Sequence, residues 1–344
     1  GEAMNFDIGS KERFLAYMDN LNEKDVIALV SHIDLDGVAA ALVTNKALEA
    51  DHLYFMNYDE LDAALVAELK EKGVTKIVFT DLLVGNECGF LSALEVFADV
   101  LVLDHHVMKG DPNSARTTYI KCENGYCAAY LCYELFSGVA SLADYDWIVA
   151  CASISDYCYE KNVAWMQKTF ENYGQRFSPM TLRQSTFWNI QWALSLALVY
   201  FRDNVQRVYD SIGPTFGDIG NLRASAERVQ EELDILLQRF INERVRIPGG
   251  WYWEFTPHYK LGGIVSSIIS GTEEDKTYII VRNEGMRCFV SARRQDRKAS
   301  MVELLRRALE GLGGSSTGGH IPAAGGHFLK KDLITVKSRL GVSG

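Results

Sequence analysis

The 344-residue chain lacks the features that would tie it to an oxidising compartment or to a bilayer. Its seven cysteines include no CxxC pair, and their number is odd. Cys88, Cys122, Cys127, Cys132, Cys151, Cys158 and Cys288 fall mostly in apolar or aromatic settings, such as Cys132 within AAYLCYELF. Buried free thiols in a reducing compartment explain them better than disulfides or structural zinc. No charged-then-apolar leader is evident, and Gly1–Met4 is set aside from the fold reading. The longest apolar stretch, Trp188–Phe201, is broken by Asn189, Gln191 and Ser195 and runs into Arg202. It is too short and too polar to span a bilayer, so it reads as a core helix, or as a face for a second copy in a homodimer. Internal repeats and long low-complexity tracts are missing too. These absences predict a soluble, cytoplasmic protein with no membrane partner.

What is present is apolar residue enough for two cores: 48% of the chain is hydrophobic. The formal net charge of -10 is unevenly spread. Residues 251–344 hold 14 Lys+Arg against 9 Asp+Glu, whereas residues 1–250 hold 21 against 36. One region can collect cations and the other can meet an anion.

Up to about residue 160, short β-rich runs alternate with helical patterns. Val26–Ser31, Leu53–Asn57, Val74–Thr80 and Val100–Leu103 read as strands. Val38–Ala50, Glu60–Lys72, Phe90–Phe97, Tyr126–Phe136 and Tyr145–Ser155 read as helices. Such alternation predicts an α/β fold with a doubly wound, mainly parallel sheet. Residues 161–250 read as a helical segment and linker, with one long helix over Leu222–Arg246 ended by Ile247-Pro248-Gly249-Gly250. From Trp251 strands (Tyr278–Val281, Cys288–Ser291) and helices (Ile264–Ser270, Ser300–Gly311) return, which predicts a smaller α/β domain over 251–344 beside a first domain over 5–160.

In doubly wound sheets ligands sit at the carboxyl ends of the strands. Here those ends carry acids and imidazoles. The first strand releases HIDLDG, the third Asp81, the fourth Asp104-His105-His106, and Asp156 follows an apolar helix. A lone DxD is usually a turn, and adjacent histidines alone are usually a surface pair. Their joint appearance at three strand exits is far more specific. Gathered carboxylates repel one another and lose solvation unless a cation compensates. Oxygen-rich donors with some imidazole favour manganese or magnesium over zinc, and no thiolate is expected in the cluster. Gly37 is expected to let the chain turn tightly into the following helix.

HIDLDG, TDLL, LDHHV and ACASISD resemble the four successive motifs of the DHH phosphoesterase superfamily. GGHIPAAGG resembles the glycine-rich motif of its DHHA1-type accessory domain, and the matches run from residue 32 to residue 326. RecJ-like exonucleases and nanoRNases belong to this superfamily. The resemblance implies a two-manganese site, with magnesium as an alternative. Carried onto this sequence, His32 and Asp34 would hold one ion, Asp36, His105 and Asp156 the other, and Asp81 would bridge them. His106 would face the substrate phosphate or leaving group, and Asp104 would orient a histidine. Several relatives space the first histidine as HxxxDxD, where this chain has HxDxDG. Asp144 and Asp146 compete with Asp156 for the fourth motif, but Asp156 ends the small apolar run. In the accessory domain, VSARR makes Arg293 the phosphate clamp through its bidentate fork. Arg294, Arg297 and Lys298 stand near it in sequence. Gly318 and Gly319 would let the backbone approach an anion beside His320. His327 lies outside the motif and is expected to pack or cap.

The implied reaction is hydrolysis of a phosphodiester. Polymer tracking normally needs an extended basic groove with stacking aromatics, and no such segment is evident in this acidic chain. A basic patch confined to one domain better suits a short single-stranded oligonucleotide or a dinucleotide docked by its end. The alternatives are a RecJ-like exonuclease on longer strands, a pyrophosphatase or exopolyphosphatase with the same core, and a non-catalytic nucleic-acid-binding relative. The full set of ligand residues argues against the last.

Overall fold

The computed structural model describes residues 4–85 and 89–343. Cys88 and Gly1–Ala3 lie outside the described residues. The chain divides into two compact units, Gly1–Ala226 and Glu227–Gly344.

In the first unit the strands are β1 (Phe6–Ile8), β2 (Ile27–His32), β3 (His52–Met56), β4 (Lys76–Thr80), β5 (Asp99–Asp104) and β6 (Thr117–Cys122). Its helices are α1 (Lys11–Asp19), α2 (Leu35–Leu48), α3 (Ala63–Glu71), α4 (Phe90–Glu95), α5 (Ala128–Phe136), α6 (Asp146–Ser155), α7 (Val163–Asn172), α8 (Thr186–Tyr200) and α9 (Val205–Ser211). The sheet order is β1-β6-β5-β4-β2-β3, parallel except for the antiparallel edge strand β1. Its inner strands are buried on both faces, which is why IALVSH, KIVFT and DVLVLD read as nearly continuous apolar runs. Each Leu, Val or Ile so buried contributes about 1.5–3 kcal/mol of apolar transfer.

β2 and β4 are neighbours, but the chain leaves β2 towards β3 on one side and continues from β4 to β5 on the other. This is the topological switch point, where crevices open at the carboxyl ends of strands. The register puts Ser31 beside Thr80 and Thr80 beside Leu103. The residues that follow, His32, Asp81 and Asp104, therefore leave the sheet at one level. α2 packs against α5 and α6 and is buried around most of its circumference, which its Ala39-Ala40-Ala41 run permits. α8 packs on α6 with most of its length buried, so it is a core helix.

In the second unit, the long helix α10 (Leu222–Glu243) enters across the division at Ala226–Glu227. There follow β7 (Val245–Ile247), β8 (Gly250–Phe255), α11 (Gly262–Ser270), β9 (Thr277–Glu284), β10 (Arg287–Arg293), α12 (Met301–Leu309), β11 (Ser316–His320), β12 (Ala323–Leu329) and α13 (Leu333–Arg339). They form a mixed sheet in the order β11-β12-β10-β9-β8-β7, with one face buried against α12 and α13. Tyr252, Ile279, Val290, Ala292 and Phe328 point into that core.

Several elements differ from the sequence expectation. α2 begins at Leu35 rather than Val38, because Asp34 caps it. The Pro248-Gly249 stretch is the turn of the β7–β8 hairpin, with Gly249 at φ 75°, and the long helix stops at Glu243. The glycine-rich run becomes the β11–β12 hairpin. Among the described residues no helix is long and apolar enough to cross a membrane.

Candidate metal centre

The site of the first unit is assembled by strand ends and helix starts. His32 ends β2, and Asp34 is the N-cap of α2, its Oδ1 accepting the Gly37 N–H at 3.0 Å. That cap leaves Asp34 Oδ2 free to lie 3.1 Å from His32 Nδ1. Gly37 has ordinary helical φ; it is glycine because a Cβ there would meet the His32 carbonyl oxygen at 2.2 Å. The tight junction is thus a matter of space, not of backbone freedom. The Thr80 hydroxyl donates to Ser31 Oγ, and Ser31 donates to the Gly37 carbonyl, both at 2.7 Å, which ties β4, β2 and α2 together.

Asp36 is fully buried, and both its oxygens accept backbone N–H groups at the start of α5: Ala128 at 2.8 Å and Ala129 at 2.7 Å. Asp81 follows β4 in the left-handed region at φ 57°, a conformation that aspartate tolerates better than most side chains. Held there by its N–H to the Leu103 carbonyl, it is 1% exposed. Its Oδ2 lies 3.5 Å from His32 Nδ1 and its Oδ1 lies 3.3 Å from His105 Nε2. The same His105 nitrogen is 3.6 Å from Asp36 and 3.7 Å from Asp156, which follows α6. His32, Asp34, Asp36, Asp81, His105 and Asp156 thus come together around Asp81. His106 stands beside them, its Nδ1 paired with the fully buried Asp104 at 2.7 Å.

The electrostatics of this cluster are those of a site short of positive charge. Burial and then Asp81 push the Asp36 carboxyl well above the usual carboxylate range. Burial and Asp34 do the same to Asp81, and burial and Asp36 to Asp156. Burial opposes protonation of His32, but Asp34 and Asp81 overcome it and push the imidazole up to about 10. Asp81 Oδ2 and His32 Nδ1 are buried without an aligned hydrogen bond. Three donor sets bring their ligand atoms within 4.8 Å of one another: His32, Asp34 and Asp81; Asp81, His105 and His106; and His105, Asp156 and Cys158. Orphaned buried donors and mutually repelling carboxyls fit one or more hard divalent ions.

Two neighbours of this cluster are given no part in it by the sequence. Tyr58, just after β3, places its hydroxyl 3.1 Å from His106 Nε2 and its ring 5.0 Å from that of His32. Cys158 brings a thiol into the third donor set, where no sulfur was expected. Burial and Asp156 push that thiol up to about 12, so it is a thiol and not a thiolate. Its position two residues after Asp156 was the available signal. Asp146 sits at the opposite end of α6 from Asp156, engaged by the Tyr173 hydroxyl and Asn172.

In the second unit, Arg293 on β10 is paired in register with Ala323 on β12, and Ala323 with His320 on β11. Directly opposed residues project from the same face, so Arg293 and His320 share a face with only the small Ala323 between them. The Arg293 Nε is buried without a hydrogen-bond partner, and burial holds its pKa below the usual range. Arg294, by contrast, is held in a bidentate pair with Asp296 at 2.8 and 3.0 Å. Arg297 and Lys298 are exposed. Gly319 has φ 140°, and a Cβ there would meet the Ala323 carbonyl oxygen at 2.5 Å; Gly318 is open to solvent. His327 lies within 3.2 Å of Arg287 and packs near Phe289.

Residues 252–335 match the DHHA1 domain family. No curated protein matches the chain in sequence. Among solved structures it resembles exonuclease RecJ bound to manganese, with TM-score 0.71 and 18% identity over 99% of this chain and 94% of that one. RecJ from Thermus thermophilus in complex with Mn2+ gives 0.66 at 16% identity, over 96% of this chain and 54% of that one, so this chain spans about half its length. The pGpG-specific phosphodiesterase PggH from Vibrio cholerae gives 0.51 at 14% identity, over 91% and 97%. At these identities the likeness is one of fold.

Proposed function

We propose, for a chain that has the fold of the DHH-domain proteins and carries a DHHA1 domain in its second unit, that it is a metal-dependent phosphoesterase hydrolysing short oligonucleotides or dinucleotides. The observation that carries this reading is Asp81, whose two oxygens are shared between His32 on one side and His105 on the other. His32 and Asp34 would hold one ion, and Asp36, His105 and Asp156 a second, with Asp81 common to both. Manganese is the expected ion and magnesium the alternative. Such ions, when bound, make a water nucleophilic near neutral pH and neutralise charge on the phosphoryl oxygens.

The chain's own residues do the rest. Asp104 holds the His106 imidazole by Nδ1, and Nε2, 3.1 Å from the Tyr58 hydroxyl, is the nitrogen that would exchange that contact for a substrate oxygen. Arg293 carries a guanidinium with no acidic partner on Nε, and His320 shares its face, so together they supply a phosphate-holding surface. Gly318 and Gly319 keep side chains out of the way of an approaching anion. The acidic balance of residues 1–250 disfavours a long polyanion, so a short substrate held by its end is the better fit. Cys122, Cys127, Cys132, Cys151, Cys158 and Cys288 are free thiols, which suits the cytoplasm.

A manganese-supported digest tests this across substrate length, from pNpN dinucleotides to thirty-nucleotide strands labelled at both ends. Turnover should be fastest on the shortest substrates. Faster turnover of the longest strands, with stepwise shortening from one end, would transfer the chain to a RecJ-like exonuclease reading. Release of orthophosphate from pyrophosphate or polyphosphate, with every phosphodiester intact, would favour the pyrophosphatase alternative. Manganese binding without any hydrolysis would leave only the nucleic-acid-binding alternative.

A further inference from the structure

We infer that Tyr58 is the positioning residue for His106, anchoring through its hydroxyl the ring nitrogen that the hydrolase reading turns towards substrate; the inference rests on that reading for its catalytic consequence. The geometry is closed at both ends of the imidazole. At one end Asp104, fully buried, lies 2.7 Å from Nδ1, and a carboxylate there accepts the Nδ1 proton. A neutral ring then presents a lone pair at Nε2, and the Tyr58 hydroxyl lies 3.1 Å from it. A phenol can donate or accept, so this anchor survives a change in the charge of the ring. An imidazole held by one nitrogen can swing about that contact; one held by both waits in place for the substrate oxygen that takes over Nε2.

The segment bearing Tyr58 is itself clamped. The Asn57 side chain accepts from the Tyr58 N–H at 3.1 Å, and Glu60 accepts from the Asn57 N–H at 2.7 Å, a reciprocal cap on the short turn after β3. The ring lies 5.0 Å from His32 and stands edge-on to His106 at 5.9 Å. One tyrosine thus packs on a proposed metal ligand and hydrogen-bonds a proposed substrate-facing group. Its hydroxyl and its ring have separable jobs.

Tyr58→Phe keeps the ring and removes the hydroxyl. Three readouts on the full chain decide the matter: long-range 1H–15N spectra of histidine-labelled protein in EDTA, manganese affinity by calorimetry, and kcat and KM on a dinucleotide. The His106 Nε2 resonance should shift while Nδ1 stays protonated, and manganese affinity should hold. The kcat should fall about 10–100-fold at constant KM, the usual range for a partner that orients a working group. Unmoved His106 resonances would overturn the inference whatever the kinetics show, and so would an unchanged kcat in a chain that cleaves dinucleotides. A wild-type chain that binds manganese and cleaves nothing would overturn the hydrolase reading, yet a shifted Nε2 would still support the anchor.

Discussion

Gly37→Ala is the sharpest test of how the candidate centre is built, because two explanations of that glycine predict opposite signs. If Gly37 served only to let the chain turn, alanine at its ordinary helical φ would stabilise α2 by about 1 kcal/mol through helix propensity. The structure gives another reason. A Cβ at residue 37 would lie 2.2 Å from the His32 carbonyl oxygen, 2.6 Å from its carbonyl carbon and 2.8 Å from its Cα. All three are backbone atoms, so no rotamer change relieves them. Reaching even the 3.4 Å of ordinary contact would open the β2–α2 junction by roughly an ångström and pull on the Asp34 and Ser31 hydrogen bonds that converge on Gly37. Overpacking of that kind costs about 1–3 kcal/mol, and three clashes with backbone put it at the upper end, about 2 kcal/mol beyond the propensity gain. A unit of this size should therefore melt about 4–8 °C lower in EDTA. His32 and Asp34 move with the junction, so manganese affinity should fall about 10–100-fold. Thermal unfolding in EDTA, followed by a manganese titration, measures both. A variant at least as stable as the wild type, with unaltered affinity, would refute the steric account.

Other outcomes can be checked alongside. Asp81→Asn should retain the metal-free fold, since asparagine also tolerates φ 57° and keeps the N–H bond to Leu103. It should lose most of the manganese-induced rise in melting temperature, which in the wild type corresponds to about 2.7 kcal/mol at a hundredfold excess over Kd; an undiminished rise would remove Asp81 from the centre. Arg293→Gln should raise KM for a phosphorylated dinucleotide about 10–100-fold, in line with loss of a charge-assisted contact of about 1.5–3 kcal/mol. Arg294→Gln should lower the melting midpoint and leave KM alone, because Asp296 already occupies that guanidinium; equal KM effects would dissolve the distinction. Cys158→Ser should weaken cadmium binding far more than manganese binding, as expected for a soft donor at the rim of an oxygen-rich set. Equal losses in competition calorimetry would show that the thiol does not contact the ion.

The parallel core was legible because doubly buried strands leave short apolar runs that alternate with helical patterns, as in IALVSH and KIVFT. The acids and imidazoles following those runs could be placed at one sheet edge by topology alone. β6 was not legible. Its TTYIKC carries Thr117 and Lys121 into buried positions, where the Lys121 ammonium is satisfied by Asp7 and the Cys122 carbonyl. The β11–β12 hairpin was hidden by composition: Ser-Thr-Gly-Gly reads as a linker, and its pairing with β10 is a long-range fact. Within the centre, residue identity conveyed chemistry but not partnership. Nothing in the neighbourhood of Asp36 announces that it will meet the start of a helix some ninety residues away. Tyr58 arrives from a loop with no motif, placed there by the β2–β3 pairing.

The two hydrogen bonds that Asp36 accepts from α5 bear on how these acids are held together without metal. The first turn of a helix presents the equivalent of about half a positive charge, fixed in place and never released to solvent. Here that partial charge is aimed at the most deeply buried of the clustered acids. It is a resident counter-ion built from peptide bonds, too weak to balance the whole group but always present. An ion would then meet a scaffold already in shape, and the slowest-exchanging amides near the site should be those of Ala128 and Ala129, with or without metal.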